Sequence, residues 1–185
     1  MTLLLSSLDT PVGTLNLIAD EQLLLAANLS SIKALQESLD SRYENREIKK
    51  VKKIPVITDL ISDYFDGDLS ALNAIKVSQP GAPFSQEAWK AMKKIKPGTV
   101  ISYADLADRA GSANAVRAAG TACAKNAIVI VVPCHRIVKT GELLVITPMV
   151  SVRKSGYFAT RARFRISIAS SHWLSVKSKW VTRRA

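Results

Sequence analysis

The apolar residues of the first 28 positions come in short runs separated by turn residues. These runs cover residues 3–5, 15–18 and 23–27. Pro11-Val12-Gly13 and Asp20-Glu21 lie between them. Short apolar runs bounded by such turn signals predict antiparallel strands.

Helical patterns follow these strands. Residues 30–39 are amphipathic, with Ser31 as the predicted N-cap, and residues 57–65 form a second apolar helical segment. Between them, the basic residues of 46–53 are interpreted as a solvated edge rather than a DNA site. Prolines 80 and 83 indicate a boundary. We therefore expect a small α/β unit over residues 1–79.

A second unit begins near Phe84 with a helical pattern. Its apolar positions are Phe84, Ala88, Trp89, Met92 and Ile95. Ser102 is expected to cap a short helix, and a further helix should run from about residue 112 to residue 124. Two helices joined by a glycine-containing turn fit a helix-turn-helix and an ordinary helical hairpin equally well.

The apolar run of residues 128–132 predicts a buried strand-like segment that ends at Pro133-Cys134-His135-Arg136. Proline fixes the backbone ahead of the thiol. A cysteine is nucleophilic as its thiolate, which a basic neighbour favours. A lone cysteine at a strand end is more often buried and inert. The polar His135 and Arg136 favour the reactive interpretation here.

Composition excludes several classes of protein. A length of 185 residues with 48% hydrophobic content is typical of one or two small domains. The two cysteines form no disulfide framework, so a cytoplasmic location is expected. No leader or membrane-length apolar run is recognised, and the few cysteines and histidines lack zinc spacing. We expect no membrane association and no metal.

The basic charge is concentrated at the C-terminal end. Residues 1–141 hold 17 basic and 14 acidic residues, a net charge of +3. Residues 142–185 hold nine basic residues and one acidic residue, a net charge of +8. A basic tail suggests a nucleic-acid or membrane-surface segment. The aromatic residues scattered through it, without helical or strand periodicity, fit neither.

The second unit resembles the methylated-DNA–protein-cysteine methyltransferases, also called O6-alkylguanine-DNA alkyltransferases. The matching residues are Pro83-Phe84, Trp89, Pro97-Gly98-Thr99-Val100, Ser102-Tyr103, Leu106-Ala107, Arg117-Ala118-Ala119-Gly120, Asn126 and Pro133-Cys134-His135-Arg136. The segment Thr10 to Leu15 resembles the family's N-terminal subdomain more weakly. The resemblance implies an α/β fold, with an N-terminal subdomain of antiparallel strands and helices. A helical, winged helix-turn-helix-like domain over residues 84–141 then binds DNA and carries the alkyl acceptor.

The chain departs from the family pattern in two places. Ala127 stands where the family usually has proline after the asparagine. After Gly141 the resemblance ends. Read two bases out of frame, however, the codons of residues 146–150 force a glycine of the family pattern, and those of residues 150–162 permit the family helix that follows it. We interpret residues 142–185 as an aberrant, frameshifted tail. In that frame Arg161 occupies the position of the family's catalytic glutamate.

The resemblance also implies a chemistry. Cys134 would accept an alkyl group from guanine O6, or possibly from thymine O4, irreversibly and in a single turnover. His135 would take the thiol proton, and Tyr103 would protonate the departing guanine. Asn126 would brace the cysteine turn. No cofactor is implied.

The implied partner is double-stranded DNA containing O6-alkylguanine, bound by a monomer. The reactive carbon cannot be reached in a stacked duplex, so the base must be flipped out. Arg117 would fill the gap, and Ala118 would permit close approach to the minor groove. Tyr103 and Arg136 complete the expected DNA contacts.

Three functions stay open on the sequence. The first is the alkyltransferase, which the frameshift would make slow or inactive. The second is a lesion-binding relative that flips alkylguanine without transfer; the presence of Cys134 disfavours it. The third is a Cys-His hydrolase of unrelated fold. It lacks a separate, well-placed histidine, because His172 lies in the doubtful tail.

Overall fold

The computed structural model describes residues 2–139, so the predicted frameshift and the tail of residues 142–185 lie outside the described part. The strands are Leu3–Thr10 (β1), Gly13–Ala19 (β2), Leu24–Asn28 (β3), Ile48–Lys50 (β4), Ile101–Ser102 (β5) and Ile137–Val138 (β6). The α-helices are Ile32–Glu37 (α1), Ile57–Asp66 (α2), Pro83–Lys93 (α3), Tyr103–Arg109 (α4) and Val116–Ala124 (α5). Short 3-10 turns cover Ser41–Tyr43, Ala71–Ala74 and Cys134–Arg136. No helix within residues 2–139 is long and apolar enough to cross a membrane.

The first four strands form one sheet in the order β3-β2-β1-β4. β1 pairs antiparallel with β2, and β2 pairs antiparallel with β3, as the sequence predicts. β4 pairs parallel with β1 at the edge of the sheet and lies within the basic stretch. Its exposed Lys49 and Lys50 protect that edge from pairing with another chain. The interpretation of this stretch as a solvated edge is confirmed.

Local sequence signals determine where the helices begin and end. The Ser31 hydroxyl accepts a hydrogen bond from the Ala34 N–H at 3.1 Å, which confirms it as the cap of α1. α2 ends at Gly67, whose φ of 118° is in the left-handed region that favours glycine. Pro83 occupies the first turn of α3, where a missing N–H costs nothing. α5 begins at Val116, a few residues later than the sequence predicts.

The sheet is covered on both faces by apolar side chains. One face packs around Leu35 of α1. The other face packs against a larger cluster that includes Leu17 and Ile61 from the first predicted unit and Trp89 and Met92 from the second. Full burial of one such side chain contributes roughly 1.5–3 kcal/mol. The apolar core therefore crosses the predicted boundary between residues 79 and 84, and the two-domain division stays a prediction.

Trp89 contacts both α5 and the segment around Gly81 that leads into α3. Its indole N–H donates to the Ala122 carbonyl of α5 at 2.9 Å. A Cβ at Gly81 would lie 2.4 Å from the ring of Trp89, closer than any van der Waals contact. Glycine at this position therefore allows the backbone to pass directly over the indole.

The segment of residues 128–132 is buried as predicted, but it is not a strand. It makes one isolated bridge, between Ala27 of β3 and Ile128. Ile130 then adopts a φ of 73°, and the Val132 N–H donates back to the Ile128 carbonyl at 3.0 Å. Beyond its two backbone bonds with Ala27, the chain satisfies its backbone groups within this turn rather than along a ladder, so the strand-like prediction is wrong.

Candidate active site

Cys134 begins the short 3-10 turn that follows the buried segment. Its N–H donates to the Val132 carbonyl at 2.9 Å, and the Arg136 N–H donates to the Pro133 carbonyl at 3.0 Å. The thiol side chain is partly buried against the main core. β6 follows directly after the turn, so both ends of the cysteine turn are tied to ordered structure.

Asn126 lies beneath this turn and is 5% exposed. Its Nδ2 donates to the Val132 carbonyl at 2.8 Å, and its Oδ1 accepts from the Ile128 N–H at 3.1 Å. The same side chain lowers the pKa of the Cys134 thiol. The structure thus brings together Asn126 and Cys134, two of the residues predicted for the site. The amide side chain closes the loop that presents the thiol.

Burial controls the protonation of the two central groups. It raises the pKa of Cys134, and the hydrogen bond from Asn126 opposes this shift. Burial, followed by the positive charge of Arg136, lowers the pKa of His135 to about 4. The thiol and the imidazole are therefore both uncharged at neutral pH. Within residues 2–139 no carboxylate hydrogen-bonds to His135 to counter this effect.

Tyr103 is brought near the cysteine turn by a short parallel strand pair. Ile101 pairs with Ile137, and Ser102 pairs with Val138. Tyr103 is the next residue and begins α4, where it is half-buried against the main core. The start of α4 therefore lies beside the strand that leaves the Cys134 turn.

A capping box holds this end of α4. The Ser102 hydroxyl accepts from the Asp105 N–H at 3.0 Å, and the Asp105 carboxylate accepts from the Ser102 N–H at 2.9 Å. The Ser102 side-chain hydrogen bond, followed by its backbone N–H, lowers the pKa of the Asp105 carboxyl. The predicted cap at Ser102 is confirmed.

α5 presents its first turn to solvent. Arg117 is exposed, Ala118 is half-buried, and Ala119 is fully buried against the core. Exposed Val116 lies beside Arg117 at the start of the helix. The helix therefore offers one cation and small side chains to an approaching surface.

Arg136 points inward rather than to solvent. It is 9% exposed, and its Nη1 donates to the Ile95 carbonyl at 2.6 Å. This contact ties the cysteine turn to the end of the α3 region. Because the guanidinium is turned inward, this contact does not favour the predicted role of Arg136 in DNA binding, which stays a prediction.

Comparisons with known proteins identify the family. Residues 83–155 match the family model described as the 6-O-methylguanine DNA methyltransferase, DNA binding domain. The methylated-DNA–protein-cysteine methyltransferase of Salmonella typhimurium is 34% identical over 148 residues, which cover 77% of this chain and 86% of that protein. The chain belongs to the methylated-DNA–protein-cysteine methyltransferase family. Its members are transferases. The family match runs to residue 155, so the predicted end of the resemblance at Gly141 is wrong.

Solved structures of this methyltransferase family share the fold. The crystal structure of the Mycobacterium tuberculosis O6-methylguanine methyltransferase aligns with a TM-score of 0.60 at 23% identity, covering 86% of this chain and 97% of that one. The crystal structure of the M. tuberculosis protein in complex with DNA aligns with a TM-score of 0.59 at 26% identity, covering 76% and 82%. The α/β fold class predicted from the sequence is confirmed.

One residue of this methyltransferase site was missed by sequence reasoning. Gln79 is 5% exposed, and its side chain hydrogen-bonds to both Asn126 and Ala127. It is the last residue of the first predicted unit and is separated from Asn126 by 47 positions. The substitution of the usual proline by Ala127 was the one signal that could have suggested a compensating partner.

Proposed function

We propose that this protein repairs DNA by transferring the alkyl group of O6-alkylguanine irreversibly to its own Cys134. The observation that carries the proposal is the Cys134 turn itself. Its thiol is partly buried, follows a loop that Asn126 closes, and precedes an uncharged His135. A desolvated thiol at a fixed position favours an in-line attack on a positioned carbon.

The transfer exchanges one carbon–oxygen bond for one carbon–sulfur bond. His135 accepts the thiol proton, directly or through water, because its imidazole is neutral at physiological pH. The sulfur then attacks the alkyl carbon as the bond to guanine O6 breaks. The electron pair of that bond stays on the base, which takes up a proton, with Tyr103 as its proposed donor. The product is an S-alkyl thioether, a poor leaving group, so each molecule reacts once.

DNA is the proposed partner, and a flipped base is the proposed substrate. The matched family model is a DNA-binding domain, and the similar M. tuberculosis protein has been crystallised with DNA. In our proposal Arg117 enters the space left by the flipped nucleotide, and Ala118 lets α5 approach the groove. Both residues lie on the exposed first turn of α5. The proposed active species is a monomer.

Labelling with O6-benzylguanine tests the acceptor. The intact protein should gain about 90 Da, one benzyl group in place of one thiol hydrogen. Peptide mapping should place the group on Cys134. Cys134→Ala should abolish labelling, whereas Cys123→Ala, a matched change on α5, should keep it. Labelling of Cys123, or DNA binding by the wild-type chain without any transfer, would contradict the proposal.

A second comparison tests the proposed frameshift. The chain as given is assayed beside a second version, using alkylated DNA as substrate. The coding sequence of the second version carries one additional G after the Thr140 codon, which returns the downstream codons to the family's reading frame. We expect the restored protein to be up to about 10⁴-fold faster, the size of effect seen when the carboxylate that orients a catalytic histidine is lost. Equal rates would show that residues 142–185 provide a working C-terminus.

A further inference from the structure

Gln79 is a buried polar residue between the sheet and α3. Its Oε1 accepts from the Ala127 N–H at 2.7 Å, and its Nε2 donates to the Asn126 Oδ1 at 3.2 Å. The Gln86 side chain in turn donates to the Gln79 carbonyl at 2.8 Å. One side chain thus contacts two consecutive residues of the loop that leads to Cys134.

The contact to Ala127 exists because this chain lacks a proline there. Proline has no N–H and restricts its own φ, so it needs no partner at that position. Alanine restores a backbone donor in a half-buried place and releases that restraint. A backbone donor removed from water must be paired, and the Gln79 Oε1 pairs it.

The contact to Asn126 completes the hydrogen bonding of the Asn126 side chain. Its Nδ2 donates to the Val132 carbonyl, and its Oδ1 accepts from both the Ile128 N–H and the Gln79 Nε2. The bond from Gln79 therefore fixes the orientation of the amide, which lowers the pKa of the Cys134 thiol.

We propose that Gln79 is a positioning residue for Cys134, which holds Asn126 and Ala127 in place of the restraint that proline supplies in other family members. The inference rests on the proposed function, because it assigns Cys134 as the alkyl acceptor. Gln79 does not touch the substrate. It acts through Asn126.

Three variants test the assignment: Gln79→Met, Ala127→Pro and the double variant. Methionine keeps the volume of glutamine but cannot pair the Ala127 N–H. We expect Gln79→Met to transfer alkyl groups about tenfold more slowly, the rate equivalent of one lost buried hydrogen bond. The double variant should return to within about threefold of wild type, because proline removes the unpaired donor and restrains the loop, while the bond from Gln79 to Asn126 stays missing. Ala127→Pro alone should bring no gain, since it leaves the Gln79 Oε1 unpaired.

Thiol titration supplies a readout that a purely structural role would not move. The rate of Cys134 carbamidomethylation by iodoacetamide is followed against pH by mass spectrometry of the Cys134 peptide. In Gln79→Met the midpoint should rise by about half a pH unit, because a displaced Asn126 stabilises the thiolate less. His135 and Arg136 are present in every variant, so their charges cancel in the comparison. Thr58→Val, which removes a buried hydroxyl bonded to the Ile54 carbonyl of the α2 region, should leave the midpoint unchanged.

The outcomes separate the two proposals. If wild type takes no alkyl group from DNA, the proposed function fails, while the titration still tests Gln79. If Gln79→Met does not fold, the assignment requires the double variant to fold and to show a midpoint raised by less than about half a pH unit. A double variant no better than Gln79→Met, or a midpoint unmoved in a folded Gln79→Met, would overturn the role of Gln79.

Discussion

The start of α4 and the Cys134 turn are held by hydrogen bonds of different range. At α4, Ser102 and Asp105 bond to each other across three positions. At the cysteine turn, Gln79 bonds to Asn126 across 47 positions and Arg136 bonds to Ile95 across 41. The start of α4 is therefore specified locally. The proposed acceptor depends on contacts that form only when the whole fold is assembled.

The largest effect on stability should follow the loss of Asn126. Asn126→Ala removes the partners of the Val132 carbonyl, the Ile128 N–H and Gln79 at once. We expect the free energy of unfolding to fall by about 3 kcal/mol or more, because several buried groups lose their partners together. Urea denaturation followed by circular dichroism measures it.

Asn114→Ala is the matched control for this variant. Asn114 is exposed in the turn before α5, so its loss should change stability by less than about 0.5 kcal/mol. Similar costs at the two asparagines would show that the cysteine turn does not depend on its long-range bonds.

His135 should make the folded protein sensitive to acid. Its pKa is about 4 in the folded protein, against an ordinary value of 6.5. Below pH 6.5 the unfolded chain therefore takes up a proton that the folded protein binds only near pH 4. The resulting stability is fully present above pH 6.5 and is lost as the pH falls towards 4, by about 2–3 kcal/mol in total.

Denaturation at pH 7 and at pH 4.5 measures this loss. His135→Gln removes the titrating group, so its stability should fall less between the two pH values than that of wild type. Carboxylates elsewhere titrate in both proteins and cancel in the difference. An identical fall in the two proteins would mean that the imidazole is not buried as the structure has it.

The difference between local and long-range hydrogen bonds also explains which features could be predicted from the sequence. The first three strands, the caps at Ser31 and Ser102 and the family motif around Cys134 depend on neighbouring residues, so each left a local signal. The path of residues 128–132 did not, because an apolar run fits a strand as well as a buried turn. The direction of Arg136 depends on the Ile95 carbonyl, and that of Gln79 on Ala127. No residue within a few positions of either one reveals its partner.

Loss of the cap on α4 should have a moderate effect. Ser102→Ala removes the hydroxyl that accepts from the Asp105 N–H, and we expect it to cost about 1 kcal/mol of stability. Ser112→Ala, an exposed serine in the turn that caps no helix, is the control and should be neutral. Thermal denaturation compares the two. If both variants melt like wild type, α4 is held by its packing and not by its cap.

The smallest effect on stability is expected at Arg117, together with a clear effect on DNA. Its side chain is exposed on the first turn of α5, so Arg117→Gln should change the free energy of unfolding by less than about 0.5 kcal/mol. If Arg117 meets DNA, this variant should bind a duplex more weakly. The slope of the logarithm of affinity against the logarithm of salt concentration should become shallower by about one.

Lys125→Gln, at the opposite end of the same helix, removes an equal charge and should leave that slope nearly unchanged. Fluorescence anisotropy at several salt concentrations measures both variants. Equal loss of slope in the two would mean that DNA senses the overall charge of α5 rather than its first turn.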